Sequence, residues 1–242
     1  MKNYTTYCWW TGDNELSENR KRSLETMKIA PGGNIVFIDK DNLKDYILPE
    51  SPLHEGYQYL SPIQKGDYGG GYSDIKQTSK PWTEYFDRLN ENKDLYAIGY
   101  GEREPNHVAC LEDCRLDPQE SIKCRTNTLS EDGKSWTSQH LRNNWTKLIG
   151  CGLMICRKNT PFTRDWWEAL NEKMDGYLEE LKKYPSQWPR DSHNHVNPNT
   201  GEKSKYPIAW AVLHGHVYHP LTLKHHKNID QDLTYPVMSN YQ

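Results

Sequence analysis

Strand and helix patterns alternate along the first hundred residues, and this alternation constrains the fold more than any other feature of the sequence. Residues 7–10 form a short aromatic run, and residues 34–38 form a β-branched and aromatic run after a Pro-Gly-Gly turn signal. Both runs are typical of buried strands. Between them, Ser17 can cap a helix that continues to about Lys28. The opening segment therefore predicts a β-α-β unit.

The same alternation continues to about residue 100. A short helix is predicted from Asp41 or Asn42, and residues 72–76 and 94–100 are predicted strands. A helix with its cap at Thr78 or Ser79 and Pro81 in its first turn separates those strands. Its apolar side chains follow the i, i+3, i+4, i+7 spacing of one helix face: Trp82, Tyr85, Phe86 and Leu89. The order predicts an α/β fold with helices on the faces of a sheet.

The second half of the chain is less regular, and we expect a single domain over residues 1–242. Residues 101–147 are polar and predict an insertion or lid. A strand over residues 148–156 follows, then a helix capped by Thr160 that ends near Pro185.

Composition excludes several classes of protein. Nine Trp, 16 Tyr and three Phe provide a core, and the net charge of −3 argues against both disorder and a nucleic-acid partner. No apolar run approaches membrane-spanning length, and the N-terminus does not resemble a secretory signal, so we expect a cytoplasmic protein with reduced cysteines. Cys110, Cys114 and Cys124 lie close together, but their spacing matches no standard zinc site.

A glycine-rich segment, residues 68–76 with the sequence YGGGYSDIK, is the most informative stretch for function. Three consecutive glycines allow the backbone to approach another group closely, and Asp74 follows at the end of a short predicted strand. The alternative is a flexible turn before an edge strand with an exposed Asp. The residues alone leave both interpretations open.

This segment resembles the sugar-binding region of glycosyltransferases with a DXD-type motif, in particular the capsular-polysaccharide and yeast mannosyltransferase-like enzymes. Further segments resemble the same family: residues 7–28, 34–61, 148–167 and 206–210. The resemblance implies a GT-A fold, a Rossmann-like sheet that binds a nucleotide sugar. It also implies an enzyme that transfers the sugar of a UDP, GDP or dTDP donor to a glycan or glycoprotein acceptor.

The resemblance also implies how the donor diphosphate is bound. The motif positions fall on Ser73, Asp74 and Lys76, and Asp74 would ligate Mn²⁺ or Mg²⁺, which prefer carboxylate oxygens. A Lys stands where a second carboxylate is common. Either Asp74 acts with a remote metal ligand, for which His219 is the first choice, or Lys76 itself meets the diphosphate. We favour the former; the alternative for the C-terminal histidines is a set of surface residues.

Other donor contacts follow from the same comparison. The strand end with Trp9, Trp10 and Thr11 would lie against the nucleobase, with at most one of the two indoles touching it. Asp67 would hold sugar or ribose hydroxyls. Asp191 is the nearest candidate for the general base that an inverting reaction needs, and a cap or loop carboxylate is the alternative.

Two departures from the family pattern keep a second class of function open. A helix that precedes the glycines in relatives is missing here, and Ala209, Ala211 and Val212 replace carboxylates near residue 210. A non-catalytic nucleotide-sugar or carbohydrate-binding protein is therefore the alternative. A glycoside hydrolase would need two opposed carboxylates, and no pair in the sequence stands out.

Overall fold

The fold was analysed in a computed structural model, which describes residues 4–11, 15–29, 34–46, 69–76, 81–108, 138–188, 191–193, 195–209 and 213–233. The chain divides into two compact units, and each consists of several chain segments. The first comprises Met1–Gly101, Ile149–Arg164 and His225–Gln242, and the second comprises Glu102–Leu148 and Asp165–Lys224. Most of the predicted insertion, like Asp67 and the cysteines at 110, 114 and 124, lies outside the described residues.

The first unit is built on a six-stranded, mostly parallel sheet. Its strands are β1 Thr5–Trp10, β2 Asn34–Asp39, β3 Gly70–Ser73, β4 Ala97–Gly101, β5 Ile149–Cys156 and β6 Ile229–Asp230. Their order across the sheet is β2-β1-β3-β5-β4-β6. Strand β5 runs antiparallel to both of its neighbours, and the other pairings are parallel. The predicted α/β class is confirmed.

Six α-helices connect or flank these strands in the described part of the chain. They are α1 Glu18–Ile29, α2 Thr83–Glu91, α3 Ser138–Asn143, α4 Pro161–Asp175, α5 Leu178–Lys183 and α6 His219–Lys224. Within the described ranges, no helix combines the length and the apolar character needed to cross a membrane.

Helices α1 and α2 cover the same face of the sheet. Leu24 and Met27 of α1 pack with Cys8 of β1 in one buried cluster. Tyr4, which is in phase with Cys8 along the chain, stacks on Phe86 of α2 with ring centroids 4.7 Å apart. The predicted helix faces are therefore the buried ones, and Tyr7 and Trp9 point to the opposite face.

Strand β3 lies two residues earlier than predicted, at Gly70–Ser73 instead of residues 72–76. A Cβ at Gly71 would lie 2.7 Å from Thr6 Oγ1, and one at Gly69, where φ is +81°, would lie 2.1 Å from the carbonyl oxygen of Cys156. The glycines are thus needed for close packing of β3 between its neighbours. Their interpretation as a flexible turn is wrong for Gly70 and Gly71.

Two helix boundaries also differ from the prediction. Helix α2 begins at Thr83, so Pro81 lies before it and not in its first turn. The long helix predicted up to Pro185 ends at Asp175 and resumes at Leu178, because Gly176 and Tyr177 interrupt it. Its start is as expected, since Thr160 Oγ1 accepts a hydrogen bond from the Thr163 backbone N–H at 3.2 Å.

Three of the C-terminal histidines, His214, His216 and His219, lie on a helix. A π-helical turn, His214–Tyr218, leads directly into α6. His216 is fully buried and His219 is 2% exposed, while the Tyr218 ring packs on Trp166 with centroids 4.8 Å apart. The interpretation of these histidines as surface residues is wrong for His216 and His219, because both lie on the inward side of the helical turn.

Candidate functional site

The carboxyl ends of β1 and β3 form a topological switch point of the sheet. From β1 the chain continues to β2 on one side, whereas β3 pairs with the other side of β1. In open α/β sheets, ligands bind in the crevice outside the carboxyl ends of such neighbouring strands. Trp10 and Thr11 end β1, and Ser73 and Asp74 end β3, so four residues singled out from the sequence lie at this edge.

Asp74 is held at this edge by its backbone and by both carboxylate oxygens. Its N–H donates to the Gly152 carbonyl oxygen at 2.9 Å. The Tyr72 hydroxyl donates to Oδ1 at 2.8 Å, and Lys76 Nζ lies 3.0 Å from Oδ2. Tyr72, Asp74 and Lys76 alternate along the chain, and their side chains therefore meet on the face of the sheet opposite α1.

The two charged groups differ in their exposure to solvent. The side chain of Lys76 is 7% exposed and that of Asp74 is 33% exposed. A buried ammonium needs a charged partner, and Asp74 provides it. The pair therefore consists of a partly exposed carboxylate and a largely buried ammonium.

Gly152 of β5 provides the room for this ion pair. A Cβ at this position would lie 2.8 Å from Lys76 Nζ and 2.9 Å from Asp74 Oδ2. The backbone N–H of Gly152 also faces the Tyr100 hydroxyl at 3.4 Å. Neither residue was singled out from the sequence. The alternating glycines at 150 and 152 in an otherwise apolar strand were the available signal, because glycine inside a strand marks a close approach.

The two tryptophans at the end of β1 have different surroundings. Trp10 packs against the α1 cluster, and the Arg20 guanidinium lies 5.2 Å from its ring centroid. Arg20 also donates to the Ile75 carbonyl oxygen at 3.3 Å, which ties α1 to the segment after β3. Trp9 points to the opposite face of the sheet.

Trp9 is the indole that shares a face with Asp74. Tyr7 and Tyr72 are register partners in the parallel β1–β3 pair, and Trp9 and Asp74 follow two residues later on each chain. The Trp9 Nε1–H is buried and finds no hydrogen-bond acceptor among the residues that the structure describes. A buried donor without an acceptor is unusual in a folded protein, so it marks a position that a ligand oxygen could satisfy.

Ser73 and Thr11 are the two other described residues that the sequence predicts to contact the donor. Ser73 is 1% exposed, and its hydroxyl donates to the Asp74 carbonyl oxygen at 2.6 Å. It lies on the α1 face, in phase with Ile75. Thr11 is half-buried immediately after β1.

Asp191 and His219 belong to the second unit, and each has a polar partner there. Asp191 is 8% exposed; its Oδ2 accepts the Gln187 backbone N–H at 2.9 Å, and its Oδ1 accepts the Ser204 hydroxyl. His219 Nε2 lies 3.2 Å from Glu102 Oε1 in a buried pair. Both side chains are thus engaged in contacts within their own unit.

Among the residues that the structure describes, the groups around Asp74 are a poor ligand set for a divalent cation. One oxygen faces the Lys76 ammonium and the other accepts from Tyr72, so a cation there would be placed beside a fixed positive charge. Over the described ranges, no three His, Cys, Asp or Glu side chains are grouped to hold a metal ion. Burial raises the pKa of Cys8 and of Cys156 to about 12, so both remain protonated thiols at neutral pH and are poor ligands.

Comparison with known proteins adds no relative to this picture. No protein-family model, no curated protein and no solved structure matches the chain. The functional argument therefore rests on the sequence segments and on the geometry at the edge of β1 and β3.

Proposed function

We propose that the chain is a glycosyltransferase of the GT-A type that transfers a sugar from a nucleotide donor to a glycan or glycoprotein acceptor. The observation that carries the proposal is the Asp74–Lys76 ion pair at the topological switch point of a mostly parallel sheet. That position suits a nucleotide ligand, and residues 68–76 are the segment with the clearest resemblance to sugar-binding motifs. The buried Trp9 N–H on the same face adds a donor for a phosphate, ribose or base oxygen.

The transfer reaction builds negative charge on the departing diphosphate, and Lys76 is placed to stabilise that charge. The acceptor oxygen forms a bond to the anomeric carbon, the bond from that carbon to the phosphate oxygen breaks, and its electron pair leaves with the diphosphate. A fixed cation stabilises the charge that develops on the leaving group. We assign this role to Lys76, with Asp74 as the residue that positions its ammonium. The acceptor proton passes to a general base, and Asp191, the candidate from the sequence, is not assigned this role because both of its oxygens are bonded within the second unit.

The Mn²⁺ or Mg²⁺ ion implied by the family resemblance, with Asp74 and His219 as ligands, remains a separate prediction. Because the donor set around Asp74 does not suit a dication, the proposed mechanism uses Lys76 for charge neutralisation. The two possibilities differ in one measurable property, the dependence of transfer on added metal.

The test measures release of nucleoside diphosphate from a panel of UDP-, GDP- and dTDP-sugars, each with Mn²⁺ and with EDTA. We expect release in both conditions and a loss of about 100-fold in Lys76→Met. Lys21→Met is the matched control, because Lys21 is exposed and pairs with Glu18 of the same helix. Circular dichroism and thermal unfolding establish that both variants fold.

The outcomes separate the class of function from the role of Lys76. Release that requires Mn²⁺ and survives Lys76→Met would keep the enzyme and overturn the role of Lys76. The absence of release with every donor would overturn the enzyme.

A non-catalytic sugar-nucleotide-binding protein is the second candidate. The engaged carboxylate of Asp74 favours it, since both oxygens already have partners. Donor binding by calorimetry without release would support this candidate.

A further inference from the structure

The second unit contains a cavity that the proposed function does not use. Its volume is about 370 Å³, within the range of small-molecule sites. The residues after α5, including Tyr184 and Trp188, line one side, and the segment from Asn197 to Tyr206 lines the other.

Positive charge dominates this cavity. Lys183, Lys203 and Lys205 line it, and Glu202 is the single carboxylate among its described lining residues. None of the three lysines forms an ion pair with a carboxylate in the described part of the chain. Lys183 Nζ and Lys205 Nζ lie 5.0 Å and 5.9 Å from the centroid of the same ring, that of Tyr184. Both ammonium groups are exposed and lie near one aromatic ring, so an anion bound beside that ring would be attracted to both.

The rest of the lining suits a polyhydroxylated ring. Tyr184, Trp188 and Tyr206 are half-buried aromatic side chains with a flat apolar face and a polar group. Gln187 and Asn197 add amide groups with remaining capacity, since Gln187 Nε2 donates to the Pro185 carbonyl at 2.9 Å and Asn197 Oδ1 accepts the Asn199 N–H at 2.8 Å. A ligand with apolar C–H faces, several hydroxyls and a negative charge would satisfy all of these groups.

The wall of the cavity is fixed by hydrogen bonds before any ligand binds. Asp191 accepts from the Gln187 backbone on one side and from the Ser204 hydroxyl on the other, so it joins both walls. Ser204 Oγ in turn accepts the Tyr206 N–H at 3.0 Å. Such pre-organisation lowers the entropic cost of binding.

We propose that this cavity binds an anionic sugar unit of a glycan, one that carries a carboxylate or a phosphate. A nucleic acid fits less well, because single strands are bound along grooves that follow the backbone, whereas these three lysines surround one cavity in a chain of net charge −3. The proposal does not depend on sugar transfer at the other site.

The experiment is calorimetric titration of the full chain with four probes: trigalacturonate, its uncharged methyl ester, glucose 6-phosphate and a dT hexamer. We expect trigalacturonate or glucose 6-phosphate to bind with a Kd below about 1 mM, and the ester at least about tenfold more weakly than the acid. The double variant K203Q/K205Q should lose about tenfold in affinity for the charged sugar. Lys182→Gln is the control, since Lys182 is exposed, pairs with Glu179 and does not line the cavity.

Three results would overturn the proposal. These are no binding of either charged sugar, equal binding of acid and ester, and tighter binding of the dT hexamer than of both charged sugars. Unchanged affinity for the charged sugar in K203Q/K205Q, with the variant folded, would equally remove the cavity as the site.

Discussion

In the ion pair between Asp74 and Lys76, the Asp74 side chain is partly exposed and the Lys76 side chain is buried. Removing one partner should therefore affect stability differently from removing the other. In Asp74→Asn the Lys76 ammonium keeps its burial and loses its ion pair with Asp74, so we expect a loss of about 2 kcal/mol in the free energy of unfolding. In the double variant D74N/K76M the buried charge is gone as well, and most of this loss should be recovered. Urea unfolding of the two single variants and the double variant measures the coupling.

The exposed pair between Glu18 and Lys21 serves as the reference for this cycle. Both side chains are at least half exposed, so Glu18→Gln should leave the free energy of unfolding nearly unchanged. If Asp74→Asn behaved like Glu18→Gln, the ion pair would have no special role in fixing this edge.

At the scale of the element, strand β3 depends on its glycines. In Gly71→Ala the new methyl group would meet Thr6 Oγ1 at 2.7 Å, so the Thr6 side chain or the two paired strands would have to shift. We expect a loss of about 1–3 kcal/mol, measured by urea unfolding. Gly101→Ala is the matched control in the same sheet, because its nearest atom, Gln231 Oε1, lies at an ordinary 3.4 Å. Equal stabilities of the two variants would contradict the close packing of β3.

Local patterns were sufficient for elements whose residues resemble the average strand or helix. The sequence predicts β1 and β2 to within two residues because each is an aromatic or β-branched run, and it predicts β5 equally well because residues 148–156 are apolar apart from two glycines. Strand β3 was displaced because glycine is depleted in strands, and only the neighbouring backbone explains its use there. Likewise, a buried histidine such as His216 cannot be told from an exposed one by local sequence.

The same limit divides the candidate site. Asp74 and Lys76 are two residues apart, so the sequence alone predicts that they lie close together. The sequence also offers the alternative in which Lys76 contacts the diphosphate. Gly152 and Tyr100 reach them because β5 pairs with β3 and β4 follows β5, which is set by the order of strands in the sheet. That order comes from long-range pairing, which no local pattern encodes.

At the scale of the whole molecule, the order of strands makes the sheet depend on distant parts of the chain. Strand β5 lies between β3 and β4, although 47 residues, Glu102–Leu148, separate it from the end of β4. A fragment of residues 1–101 would contain β1 to β4 and lack β5, the strand that pairs with both β3 and β4. It would expose the buried faces of Ile98 and Leu89, which pack with Leu153 and Ile155 of β5 in the intact cluster. Backbone groups of β3 and β4 would also lose their partners on that side.

We therefore expect the fragment 1–101 to lack a cooperative unfolding transition, although α1 and the β1–β2 pair are encoded within it. Near-ultraviolet circular dichroism and urea titration measure this, with the full chain as the reference. A longer fragment, residues 1–164, restores β5 and should regain at least part of the transition, because β3 and β4 then have their common partner. Cooperative unfolding of the shorter fragment would mean that the β3–β5–β4 arrangement is not what holds the first unit together.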